Sequence, residues 1–191
     1  MIYYPPMKGM TNMYNMNNMS RCPYCVNPTM YNMNCWNQVP NQWIPYANGA
    51  GNGAFIELKD YGPEPFVVNI EEATKQNNNF RTALWTGCHL QLTLMSINVG
   101  DDIGLEIHPN VDQFLRIEEG QGFVQMGRNK YNLDYQRNAS DGSAIFIPAG
   151  TWHNLINTGN IPIKLYSIYA PPQHPHGTVH VTKPAEEHHG Y

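Results

Sequence analysis

Glu106 and His108 stand two residues apart in the run Gly104-Leu-Glu-Ile-His108. On an extended strand, positions i and i+2 project to the same face. A carboxylate and an imidazole then sit side by side, an arrangement suited to one metal ion. Gln113 follows after a Pro109-Asn110 turn signal, which can bring an amide oxygen back to the same spot as a weaker fourth donor. Further on, the chain reads Gly142-x5-Pro148-x-Gly150-x2-His153-x3-Asn157. Pro148 and Gly150 make a tight turn and put His153 at the start of the next strand. Glu106, His108 and His153 together form a two-His, one-carboxylate donor set. Such a set leaves coordination positions free for substrate or oxygen and suits Fe(II) and other divalent transition metals. One ion of Mn, Fe, Zn, Ni or Co is expected.

These donors need strands to hold them. Residues 88–98 alternate, with Leu90, Leu92 and Leu94 expected on one face and Gln91, Thr93 and Met95 on the other. Further strands are expected at 104–108, 112–118, 122–127, 143–147, 151–156 and 163–169. Gly-containing turns separate many of them, at Gly100, Gly120, Gly142 and Gly159. Short strands at this spacing point to an antiparallel sandwich or closed barrel with an interior cavity. One short helix precedes them: Asn69 fits an N-cap with Glu72 three residues on, and Asn77-Asn78-Asn79 ends it.

The 191 residues carry 11 Lys+Arg against 15 Asp+Glu, a net charge of −4. That balance argues against a nucleic-acid partner bound through a broad basic face. No apolar run is long enough for a membrane span. Met1–Gly9 lacks the apolar stretch of a secretory signal. Four Cys are too few for a disulfide scaffold and suit a reducing compartment.

The composition splits the chain into a low-complexity Met/Asn/Tyr tail at 1–54, one domain at 55–185 and a short tail at 186–191. The first segment holds only Lys8 and Arg21 as charged residues, and 8 of the 10 Met. It reads as disordered, either as a spacer or as a tail whose spaced tyrosines mediate assembly. Cys22-Pro-Tyr-Cys25, with Cys35 nearby, lacks the flanking strand and helix of a redox motif, which favours a free or crosslinking thiol role. Cys88 reads as a packed strand residue. His174, His176 and His180 follow the last expected strand in a Pro-rich, extended stretch; His174 and His180 are the candidates for a catalytic base over a barrel mouth. Arg116 falls on the opposite face of its strand from Gln113, and Arg128 is a second cation; neither is assigned to the site. His188-His189 read as exposed.

Residues 100–120 and 142–157 resemble the two signature segments of the cupin superfamily. The first family segment reads Gly-x5-His-x-His-x3/4-Glu-x6-Gly; here Gly100, Glu106, His108, Gln113 and Gly120 occupy its fixed positions. The second matches at every fixed position from Gly142 to Asn157. The stretch 69–183, with Thr82-Ala-Leu-Trp85 and Tyr169-Ala-Pro-Pro172, is similar to short bacterial single-domain cupins described as mannose-6-phosphate isomerase-like. The resemblance implies an all-β, jelly-roll-like double-stranded β-helix barrel, with one divalent metal on Glu106, His108, Gln113 and His153. Two substitutions distinguish this chain: Glu106 replaces the first motif His, and Gln113 replaces the motif Glu.

The resemblance implies an isomerase-like protein acting on a small oxygen-bearing, sugar- or sugar-phosphate-like ligand, and a homodimer. The alternatives are an Fe(II) dioxygenase-type cupin and a non-catalytic binding or structural protein anchored by its N-terminal tail. The first two fit the cytoplasm; the third fits a cell or spore surface layer.

Overall fold

The structure is a computed structural model, and residues 55–184 are the ones described. The expectations for the N-terminal tail, including Cys22, Cys25 and Cys35, and for His188-His189 lie outside them.

The helix α1 spans Ile70–Gln76. The Asn69 side chain accepts from the Glu72 backbone N–H at 3.3 Å, satisfying one of the donors a helix start leaves open. Asn77 terminates it in an extended conformation. The Lys164 ammonium donates to the Asn77 carbonyl at 2.5 Å and to Asn78 Oδ1 at 2.9 Å. A cation at this end complements the helix dipole and ties α1 to the sheet beneath it.

Among the described residues nine strands follow: β1 (Arg81–Thr86), β2 (Gln91–Ile97), β3 (Asp112–Glu119), β4 (Gln121–Gly127), β5 (Tyr135–Ser140), β6 (Ala144–Ile147), β7 (Trp152–Asn157), β8 (Ile163–Ala170) and β9 (Val179–His180). They form two antiparallel sheets, one ordered β6-β3-β8-β2-β1-β9 and the other β5-β4-β7. Two isolated bridges, Asp102↔Ile156 and Glu106↔His153, lay residues 102–106 along the free side of β7.

Several expectations need correcting. The strand at 104–108 is reduced to the single bridge at Glu106, because Gly104 adopts φ +89° and breaks the extended run. β2 begins at Gln91, so Cys88 lies in the β1–β2 turn, which Gly87 N–H closes onto the Leu90 carbonyl at 2.9 Å. Within β2 the expected alternation holds, with Leu92 and Leu94 on one face and Gln91, Thr93 and Met95 on the other. Leu94 and Leu92 pack with Leu84 and Ala73 against the segment running from Ile56 to Ile70, while Gln91, Thr93 and Met95 are equally buried on the other face. The outer leucines are covered by α1 and the chain before it, so both faces of this strand are inside. β1, β5 and β9 are additional strands. β5 buries only Ala139, so it carries no apolar alternation to read.

The main core is shared by the two sheets. Met95, Ile97, Leu115, Ile117, Ile163 and Leu165 of the larger sheet meet Val124, Met126, Ala139 and Leu155 of the smaller one. This apolar packing stops short of one region. In the register row Gln91↔Tyr169↔Gln113, the inward side chains of the larger sheet turn polar and remain buried. Buried polar groups need partners, and this is where the chemistry-bearing residues collect.

Candidate metal centre

Glu106 and His153 meet first through the backbone. Each donates its N–H to the other's carbonyl, at 3.1 and 2.9 Å. Such a directly opposed antiparallel pair puts both side chains on one face, and Glu106 Oε1 lies 3.3 Å from His153 Nε2. His108, two residues past Glu106, brings its own Nε2 to 3.4 Å from the same oxygen. The signature turn braces both arms: the Gly150 N–H donates to the His108 carbonyl at 2.9 Å, and the next residues lead into β7. Gly150 makes that turn at φ +74°, which suits glycine.

One potential ligand atom from each of the three residues lies within 4.8 Å of the others. Glu106 Oε1, His108 Nε2 and His153 Nε2 are sealed from solvent and have no hydrogen-bond partner outside their own cluster. Three orphaned donor atoms converging on one buried point are costly as they stand and are satisfied by a cation. His153 Nδ1 lies 2.9 Å from the Thr151 carbonyl. A carbonyl only accepts, so the ring proton is on Nδ1 and the Nε2 lone pair faces the cluster, the usual outer-shell support of a ligating histidine. Burial would push the Glu106 carboxyl up, but positive charge and hydrogen-bond donation at the two imidazole positions, as protonated His108 and His153 supply when no ion is bound, outweigh it and hold the group well below the usual carboxylate range. The acid is therefore ionised, the form a metal requires. The buried cluster is a site for a single divalent metal.

Gln113 is buried on β3. Its amide nitrogen donates to Ser167 Oγ at 3.1 Å, and its Oε1 is buried without a partner. Its register partner Tyr169 stands edge-on to the His108 ring at 5.7 Å. His174 and His180 do fold over this region. Tyr169 meets His174 at 5.1 Å between centroids, and His174 meets His180 at 6.5 Å. The Gln91 side chain clamps the loop by accepting from the His174 N–H and donating to its carbonyl, each at 2.9 Å. His176 points elsewhere, to the Gly62 carbonyl. Arg116 faces outward and pairs with Glu118 at 2.9 Å, and Arg128 is exposed.

Sequence reasoning missed Arg81 and Tyr169. Arg81 is 5% exposed. Its register neighbours are Met95 on β2 and His180 on β9. The signal for it is one cation in the otherwise uncharged strand Arg81–Thr86. A surface cleft of about 580 Å³, lined by residues such as Phe66, Leu84, Leu92 and Tyr166, is on the opposite, outer face of the larger sheet and contains none of these groups.

The cupin domain family matches residues 93–169. A Bacillus subtilis protein, uncharacterized protein YrkC, is 62% identical over 170 residues, covering 85% of this chain and 91% of its own. An Acanthamoeba polyphaga mimivirus protein, uncharacterized protein L612, is 44% identical over 120 residues, covering 62% of this chain and 73% of its own. The crystal structure of BH2720 from Bacillus halodurans shares 71% identity with a TM-score of 0.65, covering 65% of this chain and 95% of that one. With both signature segments, two antiparallel sheets around a shared core and a buried two-His, one-Glu cluster, this chain belongs to the cupin superfamily.

Proposed function

We propose that this protein is a metal-dependent cupin enzyme whose centre is held by Glu106, His108 and His153, with oxygen-dependent chemistry at Fe(II) as the best-supported reaction class. One observation carries the reading: two imidazoles and one ionised carboxylate are the only His, Cys, Asp or Glu side chains clustered in metal-binding distance among the described residues. A facial set of this kind keeps several positions open, where bound Fe(II) supplies activation of oxygen next to substrate. Gln113 adds a neutral amide oxygen instead of the carboxylate at its motif position, so the donor set contributes a single negative charge. His153 is fixed in one tautomer by Thr151, and the inward-facing Tyr169 and Gln113 shape the space beside the donors. An isomerase acting on a sugar or sugar phosphate would use the same donors with a different ion, and the resemblance of the signature segments to isomerase-like cupins is what supports that second reading.

The experiment is elemental analysis of anaerobically purified, iron-supplied protein, followed by nitric oxide as an oxygen mimic. About one iron per chain and the electron paramagnetic resonance signal of a high-spin iron–nitrosyl are expected. Iron that binds without an accessible position for nitric oxide, together with interconversion of aldose and ketose phosphates by the manganese or zinc form, transfers the assignment to an isomerase.

A further inference from the structure

Arg81 is a charged group that the fold buries without an opposite charge. Among the described residues no carboxylate lies within ion-pair distance of it. Its Nε is sealed from solvent with no hydrogen-bond partner. Apart from the neighbouring Tyr169 hydroxyl, its contacts are weak: Nη2 lies 3.8 Å from the Met95 sulfur, and the guanidinium is 5.4 Å from the centre of the Phe80 ring. A sulfur acceptor and one ring face do not compensate the desolvation of a guanidinium. The polar atoms around it are orphaned too. Tyr169 Oη, His174 Nε2 and His180 Nδ1 are all buried without partners.

These groups form one continuous wall with the metal ligands. His108 contacts Tyr169, Tyr169 contacts His174, and His174 contacts His180, whose backbone pairs with Arg81. The charges of Arg81 and Glu106 both act on Tyr169 and on His174. The histidines bring no extra charge. Burial and the nearby Arg81 push His174 down to about 3, and they lower His180 as well. With a divalent ion bound, three positive charges, two on the ion and one on Arg81, face the single negative charge of Glu106. Two positive charges are left over beside buried polar atoms that lack partners.

We propose that Arg81, with Tyr169, His174 and His180, forms the receptor for a carboxylate on a small organic-acid substrate whose other oxygen function reaches the metal. The guanidinium fork matches a planar carboxylate, and the hydroxyl and imidazole groups supply the remaining hydrogen bonds. A hydroxy or oxo acid satisfies the orphaned donors and the excess charge at once; a neutral sugar leaves Arg81 uncompensated. The carboxylate is anchored by the larger sheet, and the metal by the smaller sheet and the segment bridged to it. This inference rests on the metal reading above.

The test is titration calorimetry of malonate, and separately of inorganic phosphate, into the metal-loaded full chain, with metal content measured on every sample. Wild-type protein is expected to bind malonate. Arg81→Gln is expected to keep its metal and weaken malonate binding by about tenfold or more, the range for losing a charge-assisted pair. If Arg81→Gln does not fold, Arg81→Lys keeps the charge without the fork and is expected to bind several-fold more weakly than wild type. Equal malonate binding by wild type and the folded variant places the anion on the metal alone and overturns the receptor. Metal-loaded wild type that binds no malonate, or that binds phosphate more tightly than malonate, overturns the carboxylate assignment while leaving the metal centre standing. Wild type that takes up no metal overturns the earlier reading instead.

Discussion

Glu106 and His153 are partners twice over. Their backbones exchange both hydrogen bonds of an isolated bridge, at 2.9 and 3.1 Å, and their side chains then bring Oε1 and Nε2 to 3.3 Å. The carboxylate is thus positioned by main-chain pairing to the very strand that carries the imidazole. Removing the imbedded imidazole should dismantle the centre without dismantling the sheet. His153→Ala is expected to drop metal content from about one ion per chain to near zero, while far-ultraviolet circular dichroism stays that of the wild type. Full metal retention in this variant would remove the site from consideration.

Asn157 closes the second signature segment, yet its contacts assign it a structural role. Its Nδ2 donates to the carbonyls of Ile97 and Ile161, each at 2.9 Å, and its Oδ1 accepts from the Gly159 N–H at 2.9 Å. Asn157→Ala strands buried backbone groups and is expected to cost about 2–3 kcal/mol. Denaturant unfolding should report that loss, and metal stoichiometry in the folded protein should be unchanged.

Gln91 is fully buried and holds the loop after β8 through three hydrogen bonds around His174 and Gln173. Gln91→Leu preserves size and deletes the clamp. Amide exchange across residues 171–178 is expected to speed up by about tenfold or more, equivalent to roughly 1.4 kcal/mol of lost local protection, with little change at β4 and β7. Unchanged exchange in the loop would show that Gln91 does not hold it.

His174 makes stability depend on pH. Burial is the main reason its folded-state value falls from 6.5 to about 3; Arg81, His108 and His180 lower it further, and Glu106 opposes them. Between those two values the unfolded chain binds the proton and the folded chain does not, so stability declines as pH drops from 6.5 towards 3. His174→Gln removes this contribution. The difference in melting temperature between variant and wild type should shift in the variant's favour as pH is lowered through that window. A difference independent of pH would show that His174 is not held neutral.

The ligand arms were legible because each is compact in sequence. Glu106-x-His108 needs only the i, i+2 spacing beside the single bridge at Glu106, and His153 follows a Pro–Gly turn whose geometry is local. The Asn69 helix start is a similar short-range signal. The edge strands were not legible. β5 exposes five of its six residues, and β9 is two residues long, so neither shows a hydrophobic period. The alternation of β2 was legible, but which face meets the second sheet was not, because α1 and the chain before it bury the leucine side as well. Arg81 went unread because a cation on a strand is ordinarily solvated, and only the pairing of β1 between β2 and β9 buries it.

The smaller sheet and its bridged segment carry Glu106, His108 and His153, and the facing sheet carries Arg81 and Tyr169. Under the proposed carboxylate receptor, the distance between the two walls is expected to act as a gauge of molecular length, with selectivity following from sheet spacing. On that proposal, a substitution in the apolar half of the interior, such as at Leu165 or Leu155, is expected to retune which molecules fit without touching the metal ligands or Arg81.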